Sequence, residues 1–166
     1  MIKPRLIKKS LNTPDFITDI TKAYQILSKK ESLYFITLTG IPTSHVEDLN
    51  FQLTNKLFNS IHKDYRNSNE YLNYLFIIEY GGIISKEQEY DNFIRNMGIH
   101  IHCLVNTSLL FPQLEFYIKN SFKKVPNCDF KNITRSNNKD ELLNYLLKQN
   151  KTGLMTCHSY NYKILT

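Results

Sequence analysis

The sequence predicts an α+β fold in which helices flank a central, mainly antiparallel sheet. Segments rich in β-branched and aromatic residues alternate with segments of helical apolar spacing, in the order α-β-α-β-β-α-β-α-β. The strands are compatible with hairpins, and the helices can share one face of the sheet. Of the 166 residues, 42% are hydrophobic and 22% are charged, which is typical of one globular domain.

Each predicted element follows from the pattern of its own residues. Pro14 begins the first helix, because proline is favoured at the first helical position. The strands end at turn-forming residues such as Gly40 and Gly81, and the helices carry apolar residues three and four apart. These patterns predict helices at 14–29, 46–63, 109–123 and 139–149, and strands at 33–39, 72–80, 99–105, 129–134 and, after Gly153, in the alternating segment from Met155 to Ile164.

The charge balance and the cysteines narrow the class of protein. Lys and Arg number 21 against 15 Asp and Glu, so the formal net charge of +6 favours polyanionic partners such as nucleic acid. The three cysteines form no CxxC pair, which argues against a disulfide framework and a thiolate zinc site and indicates a reducing cytoplasm. No run approaches about 18 apolar residues, so no membrane span is expected.

His100 and His102 are the strongest local indication of chemistry. In a strand, side chains two apart leave from the same face, so both imidazoles point one way and can share a metal ion. Two polar side chains on a solvated sheet face would give the same pattern. Glu79 ends an otherwise apolar strand, and pairing of that strand with the histidine strand would complete a ligand set with open positions. Such a set suits Mg²⁺ or Mn²⁺ acting on a phosphate oxygen, whereas a Glu79 facing water would have no such role.

Tyr145 and Lys148 are the candidate catalytic pair. They lie three residues apart on a predicted helix whose leucines bury the other face, so their side chains are neighbours. A phenol becomes a useful nucleophile when a cation or metal lies close by, but an aromatic residue packed at a helix margin shows the same spacing. Tyr160 and Lys163 repeat the spacing in an alternating segment, where residues three apart face opposite ways. Tyr160 and Tyr162 remain the competing nucleophiles.

Three short motifs together resemble a known family. Phe35-Ile-Thr-Leu-Thr39, His100-Ile-His102 and Tyr145-Leu-Leu-Lys148 have the order and approximate spacing of the three motifs of HUH-type rolling-circle replication initiators. These are the Rep endonucleases of small plasmids, phages and single-stranded DNA viruses. The resemblance covers residues 33–148, and one tyrosine in the third motif favours the single-tyrosine class.

The resemblance implies an HUH nuclease fold with an RRM-like or ferredoxin-like core. In that fold a catalytic helix lies across the metal-bearing face of a central antiparallel sheet. We expect 1–166 to be a single endonuclease domain, with an N-terminal helical extension at 1–30, a nuclease core at 33–148 and a C-terminal tail at 150–166. The first motif is a core strand near the DNA in this family, so its threonines receive no catalytic role.

The resemblance also implies a role for each candidate site residue. His100 and His102 would bind a divalent cation, Mn²⁺ or Mg²⁺, and Glu79 on the neighbouring strand would complete the site. Tyr145 would attack a phosphodiester of single-stranded DNA, forming a 5′-phosphotyrosine link and freeing a 3′-OH for a polymerase. Lys148 would orient the reacting groups or stabilise their charge.

The expected partner is single-stranded DNA at a replication origin. No GxxxxGK[ST] phosphate loop occurs, so a host helicase is expected to unwind DNA alongside the host polymerase, unless the chain is part of a longer product. A single-tyrosine HUH transposase or a relaxase would use the same chemistry. A non-catalytic basic domain that binds origin DNA or structured RNA is the alternative from another class, and metal-dependent covalent capture of DNA separates it from an enzyme.

Overall fold

A computed structural model of the chain describes residues 14–41, 46–80, 99–122, 124–134, 139–152 and 156–164. It contains a five-stranded antiparallel sheet flanked by helices, which confirms the predicted α+β class. The strands are β1 (Leu33–Ile41), β2 (Leu72–Tyr80), β3 (Ile99–Thr107), β4 (Asn127–Asn132) and β5 (Thr156–Lys163). The helices are α1 (Pro14–Leu27), α2 (Val46–Phe51), a π-helical segment (Gln52–Phe58), α3 (Asn59–Tyr65), α4 (Phe111–Ser121) and α5 (Lys139–Thr152).

The strand order in the sheet is β4-β1-β3-β2-β5, and every neighbouring pair is antiparallel. The histidine strand β3 is therefore central, with the first-motif strand β1 on one side and the Glu79 strand β2 on the other. β4 lies at one edge of the sheet beside β1. This order places segments from two distant parts of the chain, β1 and β2, on either side of β3.

Helices cover both faces of the sheet, whereas the sequence pattern also allowed them to share one face. Ile36, Phe76 and Ile101 pack under α2, α3 and α4, in a cluster that we call the first core. Leu75 and Leu104 belong to the second core, which packs under α1 and α5 on the opposite face. The physical reason lies in the strands themselves. β2 carries apolar residues on both faces, with Phe76 and Ile78 on one and Leu75 and Ile77 on the other, so both faces must be shielded from water.

The predicted helix at 46–63 is interrupted by the π-helical segment, a feature that the sequence analysis did not predict. Four buried residues on this helix are spaced strictly four apart: Leu49, Leu53, Leu57 and Ile61. On a regular α-helix three such steps would turn this apolar stripe by about 120° away from the sheet. The wider π-helical turns reduce that drift, which keeps all four side chains in the first core.

The other element bounds agree with the sequence within a few residues. The strand predicted at 129–134 begins and ends two residues earlier, at Asn127–Asn132. Residues 1–13, the start of the predicted N-terminal extension, lie outside the described part of the chain. Among the described helices, none combines the length and the apolar character needed to cross a membrane.

Candidate metal and nucleophile site

The two histidines lie on the face of the sheet that α5 covers. Ile101 and Cys103, which alternate with them along β3, are buried in the first core on the opposite face. This arrangement confirms the predicted common direction of the two imidazoles. His102 is only 2% exposed, whereas His100 nearer the strand end is partly exposed. The pair therefore does not lie on a solvated sheet face, because at least one imidazole is enclosed.

Glu79 lies directly beside the histidines, as strand pairing predicts. In the β2–β3 register Glu79 is opposite His100, and its carboxylate Oε2 is 2.9 Å from His102 Nε2. Glu79 is fully buried rather than facing water at the strand end. A buried carboxylate is costly unless a charge or hydrogen bonds compensate it. The groups around the Glu79 carboxylate therefore decide whether its charge is compensated.

Within the described residues, three polar atoms of this pair have no hydrogen-bond partner. Both carboxylate oxygens of Glu79 and Nε2 of His102 are buried and form no hydrogen bond there, although Oε2 and Nε2 lie within ion-pair distance of each other. Two ligands at right angles around an ion with bonds of about 2.1 Å would lie about 3 Å apart. The donor atoms and their separation therefore fit a divalent cation.

The third predicted ligand does not join this pair in the structure. The ring centroids of His100 and His102 are 6.3 Å apart, and no group of three His, Cys, Asp or Glu side chains converges among the described residues. The structure brings together Glu79 and His102 and places His100 beside them on the same face.

Thr37 and Phe35, both on β1, hold the ring of His102. Thr37 is the cross-strand partner of His102, and its Oγ1 lies 3.3 Å from His102 Nδ1. Phe35 stacks on the same imidazole, with ring centroids 5.7 Å apart and planes inclined by 11°. In the tautomer protonated at Nδ1, that nitrogen donates to Thr37 and leaves the Nε2 lone pair directed at Glu79. Thr37 therefore takes part in the site, a role that the first motif alone does not indicate.

Tyr145 on α5 completes the site from above the sheet. Its ring centroid is 5.4 Å from that of His102, and the side chain is 43% exposed. Burial, and then the negative charge of Glu79, raise the pKa of the Tyr145 phenol above its ordinary value, so it is protonated at neutral pH. Leu146 and Leu147, next along the helix, anchor α5 in the second core. Lys148 lies in α5, but its side chain is outside the described part of the chain, and its role stays a prediction.

The competing tyrosines occupy different surroundings. Tyr160 is 1% exposed in the second core, and its hydroxyl donates a hydrogen bond to Asp19 at 2.8 Å. Tyr162 is partly buried and packs against the same core. Of the three candidate nucleophiles, Tyr145 is the one shown to contact His102 and to line the open cavity described below.

That cavity, which we call the site groove, has a volume of about 550 Å³. It runs from His100, His102 and Tyr145 along β1 to the edge strand β4, where Asp129 and Lys131 line it. No motif in the sequence marks either of these two residues. Alternation along β4 places them on one face of the sheet. Their position at the groove, however, depends on the β1–β4 register, which pairs Asp129 with Thr37, 92 positions earlier in the chain.

Comparison with known proteins identifies no relative of this chain: no protein-family model matches it, and no curated protein and no solved structure matches it significantly.

Proposed function

We propose that this protein is a metal-dependent endonuclease that nicks and rejoins single-stranded DNA through a covalent link to Tyr145, and that it initiates rolling-circle replication. One observation carries the proposal. A fully buried carboxylate and a buried imidazole, whose facing atoms have no hydrogen-bond partner in the described structure, lie directly beside a half-exposed tyrosine at the end of an open groove.

Glu79 and His102 would hold the cation, Mn²⁺ or Mg²⁺, and His100 would join them by rotating its side chain. One carboxylate and two imidazoles leave coordination positions open, as catalytic metal sites require. When bound, the ion would polarise the scissile phosphate and lower the cost of the charge that develops on it. It would also neutralise Glu79, whose charge now disfavours ionisation of Tyr145.

The proposed reaction transfers a phosphoryl group of the DNA strand to Tyr145. Tyr145 Oη attacks the phosphorus, an Oη–P bond forms, and the bond from phosphorus to the 3′-oxygen of the preceding nucleotide breaks. The phenolic proton leaves to solvent, to which Tyr145 is open, and the departing 3′-oxygen takes up a proton. The products are a 5′-phosphotyrosine and a free 3′-OH. Attack of a 3′-OH on the same link reverses the step and joins the strand.

The expected partner is single-stranded DNA at a replication origin, with host polymerase and helicase acting on the product. The formal charge of +6 favours a polyanionic strand, and the proposed reacting groups His102 and Tyr145 both line the site groove. We place the protein in the cytoplasm of a host that carries a plasmid, phage or viral replicon. A transposase or relaxase of the same chemistry would differ in the DNA that it cleaves.

Covalent capture tests the proposal. The protein is incubated with Mn²⁺ and a pool of single-stranded oligonucleotides that carry different dyes on their 5′ and 3′ ends, and then separated under denaturing conditions. We expect an adduct that carries the 3′ dye only, together with a shortened 5′-labelled strand, and neither product with EDTA. Binding without any adduct would favour the non-catalytic domain, and an adduct carrying the 5′ dye would contradict the proposed polarity.

Thr37→Val is expected to weaken Mn²⁺ binding by about 10-fold to 100-fold, because the partner of His102 Nδ1 is lost and the imidazole is no longer held toward Glu79. Isothermal titration calorimetry with Mn²⁺ measures the change without reference to cleavage. Thr37→Ser keeps the hydroxyl and should restore affinity. Thr39→Val, on the same face of β1 but without a hydrogen bond to His102, is the control. Equal affinity of Thr37→Val and the wild type would exclude this positioning role.

A further inference from the structure

The site groove continues past the reacting groups toward β4. The scissile phosphate would lie near His102 and Tyr145, but the groove also includes Asp129, Lys131 and Ile133 at and beyond the sheet edge. Its volume of about 550 Å³ lies within the range of about 300–1,000 Å³ that is common for small-molecule sites. The groove as a whole is therefore large enough for a nucleotide whose phosphate lies at the reacting groups and whose nucleoside extends toward β4.

The walls of the far part of the groove, toward β4, are chemically mixed. Leu142 of α5 and Ile133, which follows β4, provide apolar surface that also contacts the second core. Asp129 and Lys131 are both nearly two-thirds exposed, and their charged atoms are 3.6 Å apart. Such an exposed ion pair is weak, so both groups are available to a ligand. An apolar wall beside polar hydrogen-bonding groups is suited to a nucleobase.

The carboxylate of Asp129 is the informative group. It repels the phosphates of a DNA strand, so it would weaken DNA binding if the groove held only the backbone. A carboxylate does accept hydrogen bonds from base amino groups, as it does from N4 of cytosine. Thymine has no amino group, and the carbonyl oxygens on either side of its N3–H would face the carboxylate with like charge. The ammonium of Lys131 is in turn suited to a flanking phosphate.

We propose that the far part of the site groove binds one unpaired nucleotide adjacent to the scissile phosphate, and that Asp129 selects a base with an amino group and rejects thymine there. Lys131 holds the phosphate of that nucleotide. This inference rests on the proposed function and deepens it, because it assigns to named residues the sequence preference that an origin-specific nuclease needs.

Asp129→Asn tests the selection, because an amide both donates and accepts and so tolerates thymine. Asp48→Asn is the matched control: it removes the same charge from an exposed residue of α2, on the opposite face of the sheet. Each protein is incubated with Mn²⁺ and a library of randomised single-stranded oligonucleotides. The DNA is then sequenced both from the covalent adduct and from the non-covalently bound fraction.

We expect the wild type to exclude thymine at one position next to the nick, and Asp129→Asn to accept it there about tenfold more often. The profile of Asp48→Asn should match that of the wild type, and Asp129→Glu should keep the exclusion. An unchanged profile in Asp129→Asn, or an equal shift at all positions, overturns the inference while the adduct leaves the proposed function standing. If no adduct forms, the proposed function fails, and a position-specific change in the sequences of the bound fraction then supports base selection by Asp129 on its own. If the bound fraction shows no such change either, both the proposed function and the base selection are refuted.

Discussion

Tyr145→Phe is expected to reduce formation of the covalent DNA adduct to less than about one thousandth of the wild-type level, because the attacking oxygen is removed. The substitution keeps the aromatic ring beside His102 and the leucines that anchor α5 in the second core. Folding and DNA binding should therefore survive. The measurement is the yield of denaturant-stable adduct, with thermal unfolding and oligonucleotide binding recorded on the same preparation.

Tyr71→Phe provides a matched control. Tyr71 is 40% exposed, close to the 43% of Tyr145. It lies just before the first residue of β2, whereas Glu79 lies near the other end of that strand. Tyr71→Phe should leave the adduct unchanged. Peptide mapping of the wild-type adduct identifies the attachment point directly. DNA attached to Tyr160 or Tyr162, or an adduct that persists in Tyr145→Phe, would show that our choice of nucleophile is wrong.

His102→Gln is expected to lower Mn²⁺ affinity by at least about 100-fold and to abolish Mn²⁺-dependent cleavage, because Nε2 is one of the two buried donor groups at the site. Glutamine is preferred to alanine here. Alanine would leave the carboxylate of Glu79 buried beside an empty space, and an isolated buried charge costs about 3–5 kcal/mol of stability. The glutamine amide still offers hydrogen bonds to that carboxylate, so the variant should fold.

His62→Gln is the control for this experiment. His62 lies on α3, under the opposite face of the sheet, where burial and then the charge of Lys163 lower its pKa to about 4. It is neutral at pH 7, so its replacement removes no charge. Calorimetry with Mn²⁺ and the cleavage assay should give wild-type values for His62→Gln. Undiminished Mn²⁺ affinity in a folded His102→Gln protein would refute the metal site.

The positions of the helices and strands can be predicted from the sequence because each element is marked by a pattern of residues close together in the chain. The common direction of His100 and His102 is of the same kind, since residues two apart in any strand share a face. The spacing of Tyr145 within its helix is likewise a local property. The even placement of Leu49, Leu53, Leu57 and Ile61 was visible as well, but its consequence, a π-helical segment, appears only when the stripe has to stay against a sheet.

The contacts that make a site out of these residues depend on pairing between distant segments. The positions of Thr37 opposite His102 and of Glu79 opposite His100 follow from the registers of β1 and β2 against β3. A shift of one residue in either register would turn the partner away from the histidines. Asp129 reaches the groove only through the pairing of β4 with β1.

The sequence by itself therefore determined which residues can act together within one strand or one helix: the histidine pair, the tyrosine helix and the apolar faces. Tertiary structure alone decided that Glu79 is buried against His102, that Thr37 holds the imidazole, and that Asp129 lines the groove. The physical reason is that backbone geometry sets periodicity within a few residues, whereas strand register is selected by burying both faces of the sheet at once. That selection involves the whole chain, and no local pattern contains it.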